Sequence, residues 1–181
     1  MYTKYTGVIL KKYPIGEADE LLTIFTREAG KIRVKAVGSR KIKSRLAGSL
    51  QSLNEIEFET AGRRFLPVLI SVRSRTLNNY LRENLKKFAH ALVGIETLYR
   101  LTSDEEENPQ LYELLLDFLK SLGNAARSEK LALRHFQLKL LGTLGFGPPP
   151  DLREEQGKEI DLFLENLMER EIKSKNFLNS L

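Results

Sequence analysis

The hydrophobic positions before residue 76 follow the short, alternating pattern of β-strands. Apolar runs at 6–10 and 21–25 are separated by residues 13–16, where a Pro and a Gly predict a turn. Three further alternating segments lie at 32–37, 55–59 and 65–72. Five short strands fit a small barrel, of which the five-stranded OB-fold is a common nucleic-acid-binding form. An SH3-like barrel or a small sandwich would show the same pattern.

After residue 76 the apolar positions follow helical periodicity. One stripe predicts a single long first helix and consists of Leu77, Leu81, Leu85, Phe88, Leu92 and Ile95. Three further helices are predicted at 108–123, at 128–145 and from about residue 158. Asn108 and Pro109 are typical of a helix start, and Gly123 of a helix end. The three consecutive prolines from Pro148 exclude a helix there and predict a loop.

These patterns predict an α+β protein with two domains. Residues 1–76 would form a five-stranded OB-fold barrel that binds nucleic acid, and 77–181 an α-helical domain with a linker or loop around 146–157. The length of 181 residues and a hydrophobic content of 41% are sufficient for folded cores. The N-terminus shows no signal-peptide core, and no apolar run is long enough to span a bilayer, so we expect a soluble cytoplasmic protein.

Charge divides unevenly between the two halves. Residues 1–80 contain 15 Lys and Arg and 7 Asp and Glu, whereas residues 81–181 contain 14 and 17. Between Lys31 and Arg45 all charged residues are basic. A basic run of this kind favours an anionic partner such as a nucleic acid, although a solvated face balanced by distant acids would have the same sequence.

The basic residues of the predicted barrel are therefore candidate phosphate contacts. They are Lys31, Arg33, Lys35, Arg40, Lys41, Lys43, Arg45, Arg63, Arg64, Arg73 and Arg75. Aromatic rings could in addition stack on bases, and the candidates for stacking are Tyr5, Tyr13 and Phe65. No base-reading motif is present, so we expect binding to the backbone with weak sequence preference.

The sequence contains no recognisable catalytic constellation, and we expect no enzymatic activity. Cys is absent, which excludes disulfides, thiol nucleophiles and cysteine-ligated metals, and no cofactor is expected. His90 and His135 lie near the apolar sides of separate helices and are expected to be core or boundary residues. Glu17, Asp19 and Glu20 could in principle hold Mg²⁺ for a nuclease, but carboxylates at a turn that bind their own backbone explain them better.

Several segments together resemble the bacterial DNA repair and recombination protein RecO family. Residues 7–33, with the sequence GVILKKYPIGEADELLTIFTREAGKIR, are similar to the opening of its members. Further similar segments lie at 36–40, 44–51, 108–115, 134–146 and 171–178. The resemblance thus covers nearly the whole chain and is most specific at the N-terminus.

The resemblance implies an N-terminal OB-fold that binds single- and double-stranded DNA, and a helical C-terminal domain. It implies a recombination mediator that anneals complementary strands and, with the partner RecR, helps to load the RecA recombinase onto DNA coated by single-strand-binding protein (SSB). A nucleoid-associated location follows from this role. Many members carry a zinc-binding cysteine cluster after the segment matching 145–146; the lack of Cys here implies a shortened helical domain without zinc.

The family docks the acidic, Phe-ended C-terminal tail of SSB on the helical domain. In this chain the candidates for a positive rim around such a pocket are Arg100, Arg127, Lys130 and Arg134. Two alternatives remain open at this point: an OB-fold RNA-binding protein without a repair role, and the metal-dependent nuclease considered above.

Overall fold

The chain forms two compact units in a computed structural model, which describes residues 2–41, 44, 46, 48–62, 66–124, 128–147, 153, 156–169 and 171–181. The first unit comprises Met1–Asn78 and Ser103–Tyr112, and the second comprises Asn79–Thr102 and Glu113–Leu181. The first boundary lies close to the predicted one at 76. The return of 103–112 to the first unit was not predicted, because the contacts that hold it are distant in sequence. Most of the predicted 146–157 linker lies outside the described residues.

The first unit is a closed five-stranded barrel, as predicted. Its strands are β1 (Tyr2–Ile15), β2 (Asp19–Thr26), β3 (Gly30–Ala36), β4 (Glu55–Ala61) and β5 (Val68–Thr76). The order around the barrel is β1-β2-β3-β5-β4, with β3 and β5 parallel and every other neighbouring pair antiparallel. This arrangement confirms the α+β class and the OB-like barrel.

Alternation along each strand separates an apolar interior from the outer surface. The main interior side chains are Ile9, Leu22, Ile24, Ile32, Val34, Ile56, Phe58 and Leu69. The first strand is longer than predicted, because Pro14 fits the extended backbone and lies opposite Glu20 in the β1–β2 ladder. The chain turns only at Gly16, whose φ of 58° suits a residue without Cβ.

The second unit is helical. It contains α1 (Asn79–Arg82), α2 (Leu85–Leu101), α4 (Glu129–Thr143), α5 (Gly157–Met168), α6 (Lys173–Asn179) and most of α3 (Pro109–Gly123). The prediction of one long first helix was wrong: Asn84 interrupts it and caps α2 by accepting a hydrogen bond from the Lys87 amide at 3.0 Å. No helix in the described residues is long and apolar enough to cross a membrane.

Two contacts illustrate how the helices are held together. Phe118 of α3 stacks on Phe136 of α4 with ring centroids 4.3 Å apart. Glu96 of α2 is buried and accepts hydrogen bonds from the amides of Lys173 and Ser174, which are the first residues of α6. Burial raises the pKa of Glu96, but the hydrogen bonds from Ser174, Arg100 and Lys173 outweigh it and lower the pKa overall. The negatively charged Glu96 carboxylate therefore holds the first residues of α6 in place.

The segment 103–112 packs along the outside of β3. The Glu105 amide donates to the Lys31 carbonyl at 2.9 Å. Gly30, with a φ of 63°, is required at this point, because a Cβ there would collide with the Glu106 carbonyl. At the end of the segment, the Tyr112 hydroxyl donates to Glu55 Oε1 at 3.0 Å, and burial together with this carboxylate raises the pKa of Tyr112. An acidic stretch of the chain thus lies beside a basic strand.

Candidate nucleic-acid interface

A continuous row of outward-facing residues crosses four strands of the barrel. Tyr13 on β1 lies opposite Leu21 on β2, Leu21 lies opposite Lys35 on β3, and Lys35 lies opposite Val68 on β5. Directly opposed residues share a face of the sheet. Because Val34 next to Lys35 is completely buried in the interior, this row must face outward.

A second row runs parallel to the first on the same side of the sheet. Lys11 lies opposite Thr23, and Thr23 lies opposite Arg33. Each of these residues is two positions along its strand from a member of the first row, so the two rows share a face. The strands thereby place Lys11, Arg33 and Lys35 on the same side of the sheet as Tyr13.

The turn after β3 adds two cations at the edge of this face. Arg40 donates through its amide to the Ala18 carbonyl at 3.0 Å and through Nη1 to the Gly16 carbonyl at 3.2 Å, so the β3 exit is joined to the β1–β2 turn. Arg40 and Lys41 are both exposed. We call the resulting surface the outer basic face, defined by Lys11, Tyr13, Leu21, Arg33, Lys35, Arg40 and Lys41; Thr23 lies in the same row but is buried.

Asp19 has a structural role at this edge. Its Oδ1 accepts a hydrogen bond from the Gly38 amide at 2.8 Å, and its Oδ2 pairs with Lys35 Nζ at 2.9 Å. The Gly38 hydrogen bond, followed by the interaction with Lys35, lowers the pKa of Asp19. The carboxylate therefore holds the turn and orients Lys35, although it also offsets part of that lysine's charge.

The same reasoning explains the second acid of the nuclease alternative. Glu20 is buried, accepts a hydrogen bond from the Ser39 hydroxyl at 2.9 Å and pairs with Lys12 at 3.3 Å. Within the described part of the chain, no group of three or more His, Asp or Glu side chains is placed to hold a metal ion. Glu20 and Asp19 are thus engaged in holding the turn after β3, rather than their own backbone as the sequence interpretation expected.

Lys31 is withdrawn from the predicted phosphate contacts. Its side chain is only 7% exposed, and its Nζ pairs with Asp104 Oδ1 at 3.2 Å. Arg33, whose side chain is 54% exposed, binds Oδ2 of the same carboxylate at 2.9 Å. The run from Lys31 to Arg45 contains no acid in sequence, but the chain brings Asp104 to it from 71 positions away, as the alternative of distant balancing acids allowed.

Arg73 and Arg75 are exposed but face acids across the β4–β5 ladder, and their role as phosphate contacts stays a prediction. Arg73 lies opposite Glu57, and Arg75 Nε lies 3.5 Å from Glu55 Oε1. Lys4 Nζ binds Glu57 at 2.7 Å, and this contact, with weaker effects from Arg75 and Arg73, lowers the pKa of Glu57. The cations on this side of the barrel are balanced, so it offers a polyanion less attraction than the outer basic face.

Of the two stacking candidates that the structure describes, Tyr13 lies on the outer surface and Tyr5 does not. Tyr13 is 50% exposed. Tyr5 instead packs against the barrel core, with its ring centroid 5.5 Å from that of Phe58, and is withdrawn as a base-stacking residue. Phe65 lies outside the described residues, as do the predicted phosphate contacts Lys43, Arg45, Arg63 and Arg64.

Two residues of the predicted positive rim in the helical unit form ion pairs with acids of the same unit. Arg100 donates to Glu96 at 2.8 Å, and Arg134 is buried in an ion pair with Asp161. Lys130 is exposed, while Arg127 lies outside the described residues. Arg100 and Arg134 are therefore withdrawn, because their guanidinium groups already neutralise internal carboxylates.

A groove between α3 and α4 was missed by the sequence reasoning. Its volume is about 490 Å³, its apolar lining includes Leu114, Ala132 and Phe136, and Lys120 and Lys139 lie among its lining residues. Both lysines are exposed. In the sequence, each lysine lies next to the apolar stripe of its own helix. Only the packing of the two helices shows that both lysines line one groove.

Two family models match this chain. The model described as recombination protein O N terminal matches residues 1–75, and the model described as recombination protein O C terminal matches residues 82–165. The two matches correspond closely to the barrel and to most of the helical unit.

Individual relatives give the same result. A protein from Dehalococcoides mccartyi strain CBDB1 described as DNA repair protein RecO is 33% identical over 153 residues, covering 83% of this chain and 58% of the relative. Proteins of the same description from Roseiflexus sp. strain RS-1 and Bacillus cytotoxicus are 36% and 32% identical, covering 78% and 82% of this chain. The chain spans only 50% and 59% of the lengths of these two relatives.

Proposed function

Because the chain belongs to the RecO family of DNA repair and recombination proteins, we propose that its outer basic face binds the phosphate backbone of DNA. The observation that carries the proposal is the convergence of Lys11, Arg33, Lys35, Arg40 and Lys41 on one side of the barrel. Neutralising phosphates with such cations releases condensed counterions, which supplies affinity without sequence preference. On the β4–β5 side, acids balance the cations, so a polyanion should prefer the outer basic face to the β4–β5 side.

The proposed role is that of a recombination mediator that binds single- and double-stranded DNA and anneals complementary strands. Two strands repel each other through their phosphates, and a basic surface that shields one strand lowers that repulsion. Annealing forms no covalent bond, so no catalytic residue is needed and we expect no enzymatic activity. Assistance in loading RecA, with RecR as a partner, is part of the same proposal and rests on the family resemblance.

The salt dependence of DNA binding tests the proposal. Three to five phosphate contacts predict a slope of log affinity against log salt of about −2.7 to −4.5 for duplex DNA. Fluorescence anisotropy with labelled duplex and single-stranded oligonucleotides between low and moderate salt would measure it. A slope shallower than about −1 would contradict backbone binding through this face. Comparing the affinity for RNA of equal length tests the RNA-binding alternative. Incubating labelled DNA with Mg²⁺ or Mn²⁺ and looking for cleavage tests the nuclease alternative.

Asp104 limits the charge that this face can offer to DNA, and its removal should strengthen binding. In Asp104→Asn, Arg33 loses its ion pair, so we expect an affinity about three- to fivefold higher and a slope steeper by about 0.9. Glu107→Gln is the matched control: it removes the same charge from the same exposed segment. Equal effects of the two variants would show that only net charge matters.

The same variant should destabilise the barrel, because the buried Lys31 loses its carboxylate partner. Asp104 is itself 44% exposed, so we expect a loss of only about 1–2 kcal/mol in the free energy of unfolding, measured with urea. Tighter DNA binding combined with lower stability is the expected signature of Asp104→Asn. An Asp104→Asn protein that binds DNA more weakly would contradict the role given to Arg33.

For the SSB tail, the proposed docking site is the groove between α3 and α4. An acidic peptide that ends in Phe needs an apolar pocket and nearby cations, and the groove has both in Phe136, Lys120 and Lys139. Lys120→Glu/Lys139→Glu should weaken binding of a synthetic acidic, Phe-ended peptide at least about tenfold. Lys130→Glu is the comparison, because Lys130 lines a different cavity. A larger loss in Lys130→Glu would move the site to the originally predicted rim.

A further inference from the structure

A cavity of about 910 Å³ opens within the helical unit, between α2, α4, α5 and α6. Its described lining residues differ from those of the groove between α3 and α4. Its volume is in the range of small-molecule sites, which combine an apolar wall with a few polar groups. The apolar wall consists of Leu133, Leu162 and Leu178. The size and the apolar wall of the cavity therefore suit a small ligand.

The start of α5 lies at this cavity without a side-chain cap. Gln156, the residue before the helix, makes no capping hydrogen bond, because its side chain instead accepts one from the Arg153 amide at 2.9 Å. Gly157 and Lys158, the first two residues of α5, line the cavity. The first amides of a helix have no acceptor within the helix, and they lie at the positive end of its dipole. This end of the cavity therefore favours an anion.

The charged side chains of the cavity wall leave a positive excess. Two cations and two acids form ion pairs with one another and cancel, and these are Arg134, Lys175, Asp161 and Glu165. The other charged lining residues are two exposed lysines and one exposed acid, Lys130, Lys158 and Glu159. The excess cation adds to the attraction of the helix start for a negatively charged group.

His90 on α2 offers the cavity a hydrogen-bond acceptor. It is only 4% exposed, and its Nδ1 donates to the Lys86 carbonyl at 2.8 Å, because a carbonyl can only accept. Burial lowers the pKa of His90, so the ring is neutral near pH 7 and Nε2 carries a lone pair. Among the described residues, no donor pairs with this Nε2. A nearly buried acceptor in the cavity wall thus lacks a donor, which a ligand would supply.

We propose that this cavity binds a small phosphomonoester that carries hydroxyl groups, such as a nucleotide or a sugar phosphate. The phosphate accepts hydrogen bonds from the first amides of α5 and from Lys158, and a hydroxyl group of the ligand donates to His90 Nε2. The remaining ring of the ligand packs on the leucine wall. A small carboxylate fits less well, because an ionised carboxylate has acceptors only and leaves His90 without a donor.

Isothermal titration calorimetry of the full chain with AMP, ribose 5-phosphate and adenosine tests the proposal. AMP should bind at least about tenfold more tightly than adenosine, because only AMP carries the phosphate. Tighter binding of AMP than of ribose 5-phosphate assigns the site to nucleotides, whereas equal binding assigns it to sugar phosphates. Failure of both phosphomonoesters to bind at millimolar concentration, or equal affinities for AMP and adenosine, overturns the proposal.

A lysine variant locates the phosphate. Lys158→Ser removes the cation at the start of α5 and should weaken AMP binding at least about fivefold. Lys173→Ser is the matched control, because Lys173 is also exposed and begins α6, but it lies outside the described lining of the cavity. An equal loss in Lys173→Ser would overturn the assignment, since net charge alone would then explain the binding.

A second comparison tests the role of His90. Dideoxyadenosine monophosphate lacks the sugar hydroxyls and should bind the unaltered chain about fivefold more weakly than AMP. In His90→Phe, which keeps a ring but removes the Nε2 acceptor, the two ligands should bind equally. Equal binding of the two ligands by the unaltered chain, or a preference for AMP that survives in His90→Phe, contradicts the contact with His90.

Competition separates this cavity from the proposed peptide groove. The synthetic acidic, Phe-ended peptide should leave AMP binding unchanged, because its proposed groove lies between α3 and α4. Displacement of AMP by the peptide would assign the cavity to an acidic peptide and overturn the assignment to a phosphomonoester.

Discussion

Replacing Asp161 by Ala is expected to lower the free energy of unfolding of the helical unit by about 3–5 kcal/mol. Asp161 on α5 is 5% exposed and forms an ion pair with Arg134 on α4, which is 8% exposed. The Arg134 Nη2 donates to Asp161 Oδ2 at 2.9 Å, and Lys175 Nζ lies 3.1 Å from the same oxygen. Removal of the carboxylate leaves a buried guanidinium without its counter-charge, which costs far more than the loss of a surface pair.

Urea unfolding followed by helical circular dichroism would measure this loss. Asp117→Ala on α3 is the control, because Asp117 is exposed and its removal should change stability by less than about 0.5 kcal/mol. A double variant, Arg134→Met/Asp161→Leu, should recover most of the loss, since an apolar pair replaces the ionic one. A loss below about 1 kcal/mol for Asp161→Ala would show that the pair is solvated rather than buried.

Arg134 also shows why breaking the pair from one side is so costly. Its Nη1 donates to Gln137 Oε1 at 2.8 Å. Among the described residues, its Nε and the Gln137 Nε2 have no acceptor. The buried Arg134 guanidinium therefore depends on Asp161 for its counter-charge and for most of its hydrogen-bond acceptors, and it loses both when that carboxylate is removed.

Reversing two charges at the edge of the outer basic face should have the largest effect on DNA binding. In Arg40→Glu/Lys41→Glu, two phosphate contacts are lost, so the salt slope for duplex DNA should become about 1.8 units shallower. Repulsion from the new carboxylates should lower affinity at moderate salt by about 10- to 100-fold. Both residues are exposed, and although the variant loses the Arg40 Nη1 bond to the Gly16 carbonyl, it keeps the backbone bond from the Arg40 amide to Ala18, so the barrel should remain folded.

Lys86→Glu/Lys158→Glu is the matched control. It changes the net charge by the same amount but places the acids in the first turns of α2 and α5, where the helix dipole favours negative charge. If this control weakens DNA binding as much as Arg40→Glu/Lys41→Glu, net charge rather than the outer basic face governs affinity. An unchanged salt slope in Arg40→Glu/Lys41→Glu would likewise remove these residues from the interface.

The sequence predicted the barrel well because its signal is local. Alternation in β3 places Ile32 and Val34 inside and Arg33 and Lys35 outside, and the structure has the same arrangement. The end of β1 was not predictable in this way, since Pro14 is typical of turns as well as of extended segments. The break at Asn84 was missed because the leucine stripe on both sides of it continues at helical spacing.

The candidate site was only partly predictable, because charge balance depends on contacts that are distant in sequence. Asp104 pairs with Lys31 and Arg33 only after the chain returns from the second unit to the first. Glu57 and Arg73 come together through strand register. A count of basic residues could not show these ion pairs, and it did not single out Lys11, which lies two positions from Tyr13 on the same face of β1.

Methyl chemical-shift mapping of the full chain with single-stranded DNA tests the central claim most directly. We expect the largest shifts on addition of oligothymidine at Ile15 and Leu21, on or beside the outer basic face. Methyl groups of the helical unit, such as those of Leu162 and Ile172, should stay unchanged. Shifts confined to the helical unit, with none at Ile15 or Leu21, would contradict DNA binding by the outer basic face.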